Sequence, residues 1–197
     1  MFVEKILDMI ESGEDIINLE IENMNENLNI PRLSINKSQF KNCKCIESNL
    51  KNSFFVDVKF INCDFSNSDF SDSSFTDVEF IDCKFTGCKF FNNSLRRVKI
   101  IDSNFTYSNY DGSNMKKVEF CNSKLDFFVL SSNKLDNVKF EDSSLIAATL
   151  TGTKLYGIDF RTCNIEGIIL KVENLKGMIV TEWQAVELAK LLEIDIR

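Results

Sequence analysis

The amino-acid sequence predicts an all-β solenoid, because two nested periods run through most of it. Every fifth residue from Ile30 to Val180 is apolar in the broad sense, which makes 31 such residues in succession. At a hydrophobic content of 44%, chance would produce this run with a probability of about 10^-11. Neither a helix nor a strand has a period of five. The period therefore describes a repeating unit that must stack on its own copies to bury its apolar centre.

A second period of 20 residues indicates how the units stack. The residue two places before each centre is small, and its type recurs every 20 positions. One column of this small inward position is Val58, Val78, Val98, Val118 and Val138. Four pentads therefore complete one turn of a four-sided parallel coil, with adjacent turns about 4.8 Å apart. Residues 30–180 should therefore form about 7.5 turns and a rod that is roughly 36 Å long.

This register makes two detailed predictions about the interior. Centre residues 20 apart should stack into ladders, one of which would contain Phe60, Phe80, Phe120 and Phe140. Phe128 is the one bulky residue at the small inward position, so the coil is expected to widen near residues 126–130.

Residues 1–29 are predicted to form an acidic cap in front of the coil. Residues 2–11 place Phe2, Ile6, Met9 and Ile10 on one side of a short helix that Gly13 would end. Residues 14–29 alternate only partly and predict an irregular first coil. The segment carries eight acidic side chains and one basic side chain. Its expected role is to cover the open edge of the first turn.

Residues 181–197 are predicted to close the other end of this single domain. Thr181 and Gln184 occupy the N-cap and N3 positions of a capping box, so a helix should follow over about residues 182–192. The helix has more apolar surface than one contact face needs, which predicts a homodimer. The expected dimer interface consists of Trp183, Val186, Leu188, Leu191, Leu192 and Ile194.

Two parts of the sequence resemble known proteins. The stretches Ile61–Phe65, Phe65–Phe70 and Ile81–Phe85 resemble the pentapeptide repeat family, which implies a right-handed quadrilateral β-helix with short helical caps. Residues 175–196 are similar to the C-terminus of the quinolone-resistance (Qnr-type) group, with a Gly-apolar pentad, a Gln-Ala helix and an Ile-containing tail. That similarity implies a homodimeric mimic of B-form DNA that acts on DNA gyrase and topoisomerase IV.

The charge of the chain fits this resemblance only in part. A net charge of −7 suits a DNA mimic and argues against direct binding of nucleic acid. Residues 30–180, however, carry 18 acidic and 20 basic side chains. The chain also departs from the Qnr pattern in two ways. Its coil has no projecting loops, which some members of the group have, and it carries an acidic N-terminal segment.

Carboxylates form a row on one face of the predicted coil. This row, the Asn/Asp edge, consists of Asn62, Asp82, Asp102, Asn122 and Asp142. It could imitate a sparse row of phosphates or simply keep the rod soluble. The candidate partner-binding residues are therefore Asp82, Asp102 and Asp142, together with a stacked apolar line of Ile61, Ile81 and Ile101.

Catalysis is not expected. The sequence has no His, no nucleophile elbow and no phosphate-binding loop, and a convex rod offers no cleft. Five of the seven Cys fall on the small inward position, where reduced, buried thiols are expected, although stacked Cys43, Cys63 and Cys83 are near enough for a disulfide. No metal or cofactor is expected. The chain shows neither a signal peptide nor a membrane-length apolar run, which favours the cytoplasm.

Two functions stay open at this point. The first is a DNA-mimicking protein that binds type II topoisomerase (DNA gyrase) and modulates it or protects it from quinolones. The alternative is a protein–protein interaction scaffold with a different partner. An acidic stripe and a two-fold interface at the C-terminal helix would favour the first function, whereas a monomer with an apolar outer stripe would favour the second.

Overall fold

The computed structural model describes residues 2–12, 14 and 16–193, in which strands pair only in parallel. The helices and strands are α1 (Phe2–Ser12), β1 (Glu20–Glu22), β2 (Ser34–Lys41), β3 (Phe54–Ile61), β4 (Ser74–Ile81), β5 (Ser94–Ile101), β6 (Asn114–Cys121), β7 (Lys134–Asp136), β8 (Lys139–Glu141) and α2 (Glu182–Ala189). Short 3-10 helices span Val172–Leu175 and Lys190–Leu192. Strands β1 to β7 pair in sequence order, and β8 pairs with β6.

The four-sided coil with residues 20 apart in register is confirmed. Phe60 pairs with Phe80 and Ile61 with Ile81 across β3 and β4, and the same offset recurs in each later pair of turns. The Phe60 and Phe80 rings stack with centroids 5.2 Å apart, and Phe80 is 1% exposed. The predicted ladder therefore fills the interior, and each new turn covers the apolar face of the one before it.

Within residues 30–180, about six turns of the coil carry a strand, rather than the predicted 7.5. Strands β2 to β6 supply one turn each, and β7 with β8 supply the sixth. Residues 151–180 keep the 20-residue offset only through isolated pairs, such as Asp159 with Ile179. The apolar period continues there, but the chain makes successive tight turns instead of strands. Counting pentads therefore overestimates the number of strand-bearing turns.

Pairing also begins before residue 30, with a shorter first turn. Glu20 pairs with Gln39, an offset of 19 residues, and only from Asn29 and Asn49 onward is the offset 20. Buried side chains of this first turn, such as Ile21, continue the core of the coil. Residues 16–29 therefore stack on the coil. The acidic side chains between the buried ones point outward and add negative charge to that end.

The small inward residues complete a buried column of hydrogen bonds. The Ser53 N–H donates to the Ser73 hydroxyl at 2.9 Å, and the Ser73 N–H donates to the Asn93 side-chain oxygen at 2.8 Å. The Asn93 N–H in turn donates to the Ser113 hydroxyl at 2.9 Å. These buried amides need an acceptor because they lie outside the strand ladder. Val58 lies inside the ladder, where it pairs with Val78, so there the position can be apolar.

The predicted widening at Phe128 is wrong. The Phe128 N–H donates to the Leu125 carbonyl at 3.3 Å in a tight turn, and the equivalent bonds one turn before and after measure 3.0 and 3.1 Å. The left-handed φ of Phe127, +55°, also falls between the values of +61° and +53° at the equivalent corners. Because the Leu125 carbonyl accepts the hydrogen bond of the Phe128 amide, no side-chain oxygen is needed as its acceptor. The Phe128 ring packs inside the coil against Phe120, with centroids 5.9 Å apart.

Cysteine occupies the same inward positions as a small apolar side chain. All seven cysteines are free, and six of them are buried. The Cys88 thiol donates to the Phe65 carbonyl at 2.9 Å, and burial raises the pKa of this thiol to about 12. Cys88 is therefore protonated at neutral pH and a poor nucleophile.

Replacing Phe80 by Ala should lower the free energy of unfolding by roughly 3–5 kcal/mol, because the stacked neighbours cannot close the cavity. Phe54 provides a matched control, since it lies on the neighbouring face of the coil and is 53% exposed. Phe54→Ala should change the free energy by less than about 1 kcal/mol. Chemical denaturation followed by circular dichroism measures both values, and equal losses would contradict the register.

Replacing Tyr110 by Phe should stabilise the coil. The Tyr110 ring stacks on Phe90 with centroids 4.4 Å apart, but its buried hydroxyl has no hydrogen-bond partner among the described residues. Removing an unsatisfied buried hydroxyl should raise the free energy of unfolding by about 1–3 kcal/mol. Tyr107→Phe, at a residue 60% exposed, should leave it unchanged. A lower melting temperature for Tyr110→Phe would contradict this account.

Candidate partner-binding surface

The three isoleucines proposed for partner binding form a continuous line on the outside of the coil. Ile61, Ile81 and Ile101 end strands β3, β4 and β5, and each pairs directly with the next. Each side chain is half-buried between its neighbours. The line continues in Cys121, which pairs with Ile101. The structure therefore brings these residues together as one narrow apolar strip, the isoleucine line.

The Asn/Asp edge lies immediately beside the isoleucine line. Asp82 and Asp102 each follow an isoleucine of the line and turn the corner of the coil with φ of +53° and +51°. Asn and Asp tolerate this left-handed conformation better than most residues, which explains part of the composition of the edge. Asp142 occupies the same corner two turns beyond Asp102, with φ of +47°. It lies beside Glu141 instead of an isoleucine.

The aspartates of the Asn/Asp edge differ electrostatically from many other carboxylates of the coil. Asp77 binds Arg97 one turn away, with a nitrogen–oxygen distance of 2.6 Å, and this hydrogen bond lowers the pKa of Asp77. Similar cross-turn pairs join Lys59 to Glu79, Lys84 to Asp64, Lys116 to Asp136 and Lys139 to Glu119.

By contrast, Asp82, Asp102 and Asp142 form no ion pair among the residues that the structure describes. Asp102 accepts a hydrogen bond from the side-chain amide of Asn122, which leaves its charge in place. The three side chains are exposed. The edge therefore presents carboxylates that a cationic partner could bind without first displacing a lysine or arginine of this chain.

Helix α2 closes the end of the coil through its N-cap. The Thr181 hydroxyl accepts from the Gln184 N–H at 3.2 Å, and the Gln184 side-chain oxygen accepts from the Thr181 N–H at 2.9 Å, as the capping box predicts. The Gln184 side-chain amide also donates to the carbonyls of Phe160 and Cys163 at 2.8 and 2.9 Å. One side chain thus joins the helix to the last turn.

The residues proposed for the dimer interface are divided between two faces. Leu188 is buried against this chain's own core, and Leu191 packs partly against it. Trp183 is 84% exposed, and Val186 and Leu192 are also exposed. Ile194 lies outside the described residues. The residues free to meet a second copy are therefore Trp183, Val186 and Leu192.

Sequence reasoning missed a groove in the side of the coil between residues 134–142 and 154–162. Its volume is about 680 Å³. The apolar period passes through this region without a break, so no residue pattern marks the groove. Among the described residues, no cluster could hold a metal ion, and no helix is long and apolar enough to cross a membrane.

Comparison with known proteins identifies the repeat. The pattern of pentapeptide repeats matches in eight copies, over residues 38–77, 55–92 and 129–167. No curated protein matches the sequence significantly.

The solved structures to which this chain is similar include the following three. A trypsin-treated variant of QnrB1, a plasmid-mediated fluoroquinolone resistance protein, is 19% identical over 92% of this chain and 99% of its own, with a TM-score of 0.37. HetL from Nostoc sp. strain PCC 7120, involved in regulating heterocyst differentiation, is 15% identical over 91% and 97%, with a TM-score of 0.41. A pentapeptide repeat protein from the Arabidopsis thaliana thylakoid lumen is 17% identical over 64% and 74%, with a TM-score of 0.34.

Proposed function

Because this chain is a pentapeptide repeat protein, we propose that it is a non-enzymatic binding protein that takes the place of DNA on a type II topoisomerase, DNA gyrase above all. The observation that supports the proposal is the set of unpaired carboxylates on the Asn/Asp edge. A surface that normally binds the phosphates of a duplex carries Lys and Arg, and these would bind Asp82, Asp102 and Asp142 in the same way.

The carboxylates of the Asn/Asp edge are spaced more widely than the phosphates of a duplex. Asp82 and Asp102 are one turn apart, about 4.8 Å, and Asp142 lies two turns further, about 10 Å. One strand of a duplex carries a phosphate about every 3.4 Å along the axis. The edge therefore offers fewer charges per length than DNA. Its binding should be weaker than that of a densely acidic mimic and should weaken further with salt.

A homodimer would lengthen the edge. Two copies joined through Trp183, Val186 and Leu192 would bury the exposed apolar face of α2. The two rods would then present two Asn/Asp edges along one axis. In this proposal the protein acts in the cytoplasm, where gyrase of bacteria meets its DNA, and it either modulates the enzyme or protects it from quinolones.

The second candidate is an interaction scaffold for a different protein. Two observations favour it. The coil carries 20 basic and 18 acidic side chains between residues 30 and 180, many of them paired across turns, so most of its surface is not acidic. The isoleucine line also offers apolar contacts that a phosphate-binding surface would not use.

A gyrase supercoiling assay with and without a quinolone tests the first function. We expect the wild-type protein to change supercoiling or drug-induced cleavage, and Asp82→Asn/Asp102→Asn/Asp142→Asn to require at least about tenfold more protein for the same effect. The matched control is Glu47→Gln/Asp72→Asn/Asp111→Asn, which removes the same charge from exposed positions elsewhere on the coil.

If the control and the edge variant lose activity equally, overall charge and not the edge is responsible. If excess wild-type protein affects neither supercoiling nor cleavage, the topoisomerase function is wrong. Binding of another protein that Ile81→Lys abolishes would then support the scaffold function.

The dimer has its own test in analytical ultracentrifugation. We expect the wild-type protein to sediment as a dimer at micromolar concentration and Trp183→Glu to sediment as a monomer, because the substitution places a charge in the apolar contact. Tyr107→Glu introduces the same charge at an exposed aromatic residue far from α2 and should remain dimeric. A monomeric wild-type protein would exclude this assembly.

A further inference from the structure

One side of the coil carries three columns of outward side chains that share a centre. This side, the isoleucine face, consists of residues 58–61, 78–81, 98–101 and 118–121 in strands β3 to β6. Its two outward columns are the isoleucine line and a column of charged residues. A third column lies at the corner where the face begins. In the register of the turns, all three columns are centred midway between Ile81 and Ile101.

The apolar column has four members and a charge of opposite sign at each end. Its members are Ile61, Ile81, Ile101 and Cys121, which are all half-buried. Lys41 pairs with Ile61 before the line, and Glu141 pairs with Cys121 after it. If the column is reversed about its centre, apolar residues exchange with apolar residues and the lysine exchanges with the glutamate.

The charged column of the face alternates in sign. It consists of Lys59, Glu79, Lys99 and Glu119. Lys59 binds Glu79 at 3.0 Å, and Glu119 binds Lys139 at 3.5 Å. Lys99 is exposed and forms no ion pair among the described residues. Reversed about the same centre, this column places a basic side chain opposite every acidic one.

The corner column has two acidic residues followed by two basic ones. It consists of Asp57, Asp77, Arg97 and Lys117. Asp77 binds Arg97 at 2.6 Å, whereas Asp57 and Lys117 are exposed and form no ion pair among the described residues. Like charges on adjacent turns destabilise a sheet, so the stability of a single chain does not explain this order. Reversal about the common centre again places acid opposite base.

A two-fold axis performs this reversal on all three columns at once. The axis lies in the plane of the isoleucine face, crosses the rod at a right angle and passes between Ile81 and Ile101. It places Ile81 opposite Ile101 of a second copy, and Asp57 opposite Lys117 of that copy. A two-fold axis along the rod would instead bury Glu79 against Ile81. Only the antiparallel arrangement is therefore self-complementary, as an interface between identical subunits must be.

We propose that the isoleucine face binds a second copy of this chain with the two rods antiparallel. Faces packed about 10 Å apart allow the long Lys117 side chain to reach Asp57 of the second copy. At the opposite rim, Asp82 faces Asp102 of that copy, but these side chains are short and stay in solvent. The cost of that repulsion is therefore small. This interface goes beyond the function proposed above and does not depend on it.

The size of the face indicates how strong this contact should be. Six turns of four residues cover roughly 400 Å² on each copy, about half the area of a standard protein–protein interface. Such an area supports a weak contact, with half-association at about 0.1 mM. The contact would therefore join proteins at high local concentration, in addition to the tighter contact proposed for α2.

Sedimentation of the Trp183→Glu variant provides the first test, because this variant lacks the α2 contact. We expect it to be a monomer at about 10 µM and mostly a dimer at about 1 mM. Adding Ile81→Lys should keep it monomeric at both concentrations, since a charge then lies against Ile101 of the second copy. A monomer at about 1 mM without the second substitution would overturn the proposal.

A charge exchange tests which residues face each other. In the Trp183→Glu background, Asp57→Lys and Lys117→Glu should each weaken the association at least about fivefold, because each opposes like charges. The combined variant should return to within about twofold of the background. The corner backbone accepts both residue types, since Lys37 and Glu47 adopt the same conformation with φ of +47° and +57°.

Asp72→Lys is the matched control for Asp57→Lys. It makes the same change of net charge at an exposed corner away from the isoleucine face and should leave the association unchanged. Single exchanges without effect, or a combined variant as weak as the single ones, would overturn the antiparallel pairing.

The opposite rim separates this interface from the proposed topoisomerase function. Asp82→Asn/Asp102→Asn removes the repulsion between the two copies and should tighten the association at least about twofold. Together with Asp142→Asn, the same substitutions are expected to weaken the action on gyrase. Weaker self-association of the Asp82→Asn/Asp102→Asn variant would contradict the proposed arrangement, whatever the result with gyrase.

Discussion

The hydrogen-bonded ladder between turns 20 residues apart is the constraint on which the rest of this structure depends. It holds each turn about 4.8 Å from the next, and that distance places Phe60 and Phe80 in ring contact within the core. It also places outward side chains of one column within reach of each other. The stacking of the core, the pairing of surface charges and the shape of the rod all follow from this single spacing.

The ladder also explains why a five-residue unit tolerates so many different side chains. Each corner residue from Arg32 to Gly157 adopts a left-handed φ, and each inward amide needs an acceptor. Outside the strand ladder, two kinds of acceptor are used. A side-chain oxygen of the following turn accepts the amide at Ser53 and Ser73, whereas a tight-turn carbonyl accepts it at Phe128 and Ile168. Where the turn bond is used, the side chain is free to be large.

Most of the fold could be predicted from the sequence, because burial depends on the period alone. The isoleucine line and its neighbouring aspartates followed from the same count. The division of α2 could not be predicted, since nothing local distinguishes Leu188, which packs on the coil, from Trp183, which faces outward. The regular backbone at Phe128 and the groove at Leu135 were missed for a related reason. Both depend on which backbone acceptor is used, and side-chain types do not encode that choice.

The spacing between turns also distinguishes the surface charges that are paired from those that are not. Along the column of Lys59, Glu79, Lys99, Glu119 and Lys139, opposite charges alternate and neutralise one another across turns. Like charges placed directly opposite each other destabilise a sheet, so alternation is the arrangement that stability favours. Asp82 and Asp102 depart from it, because they occupy consecutive turns and lack an ion pair among the described residues. This departure costs stability without improving the packing of the coil, and for that reason the proposed function begins from it.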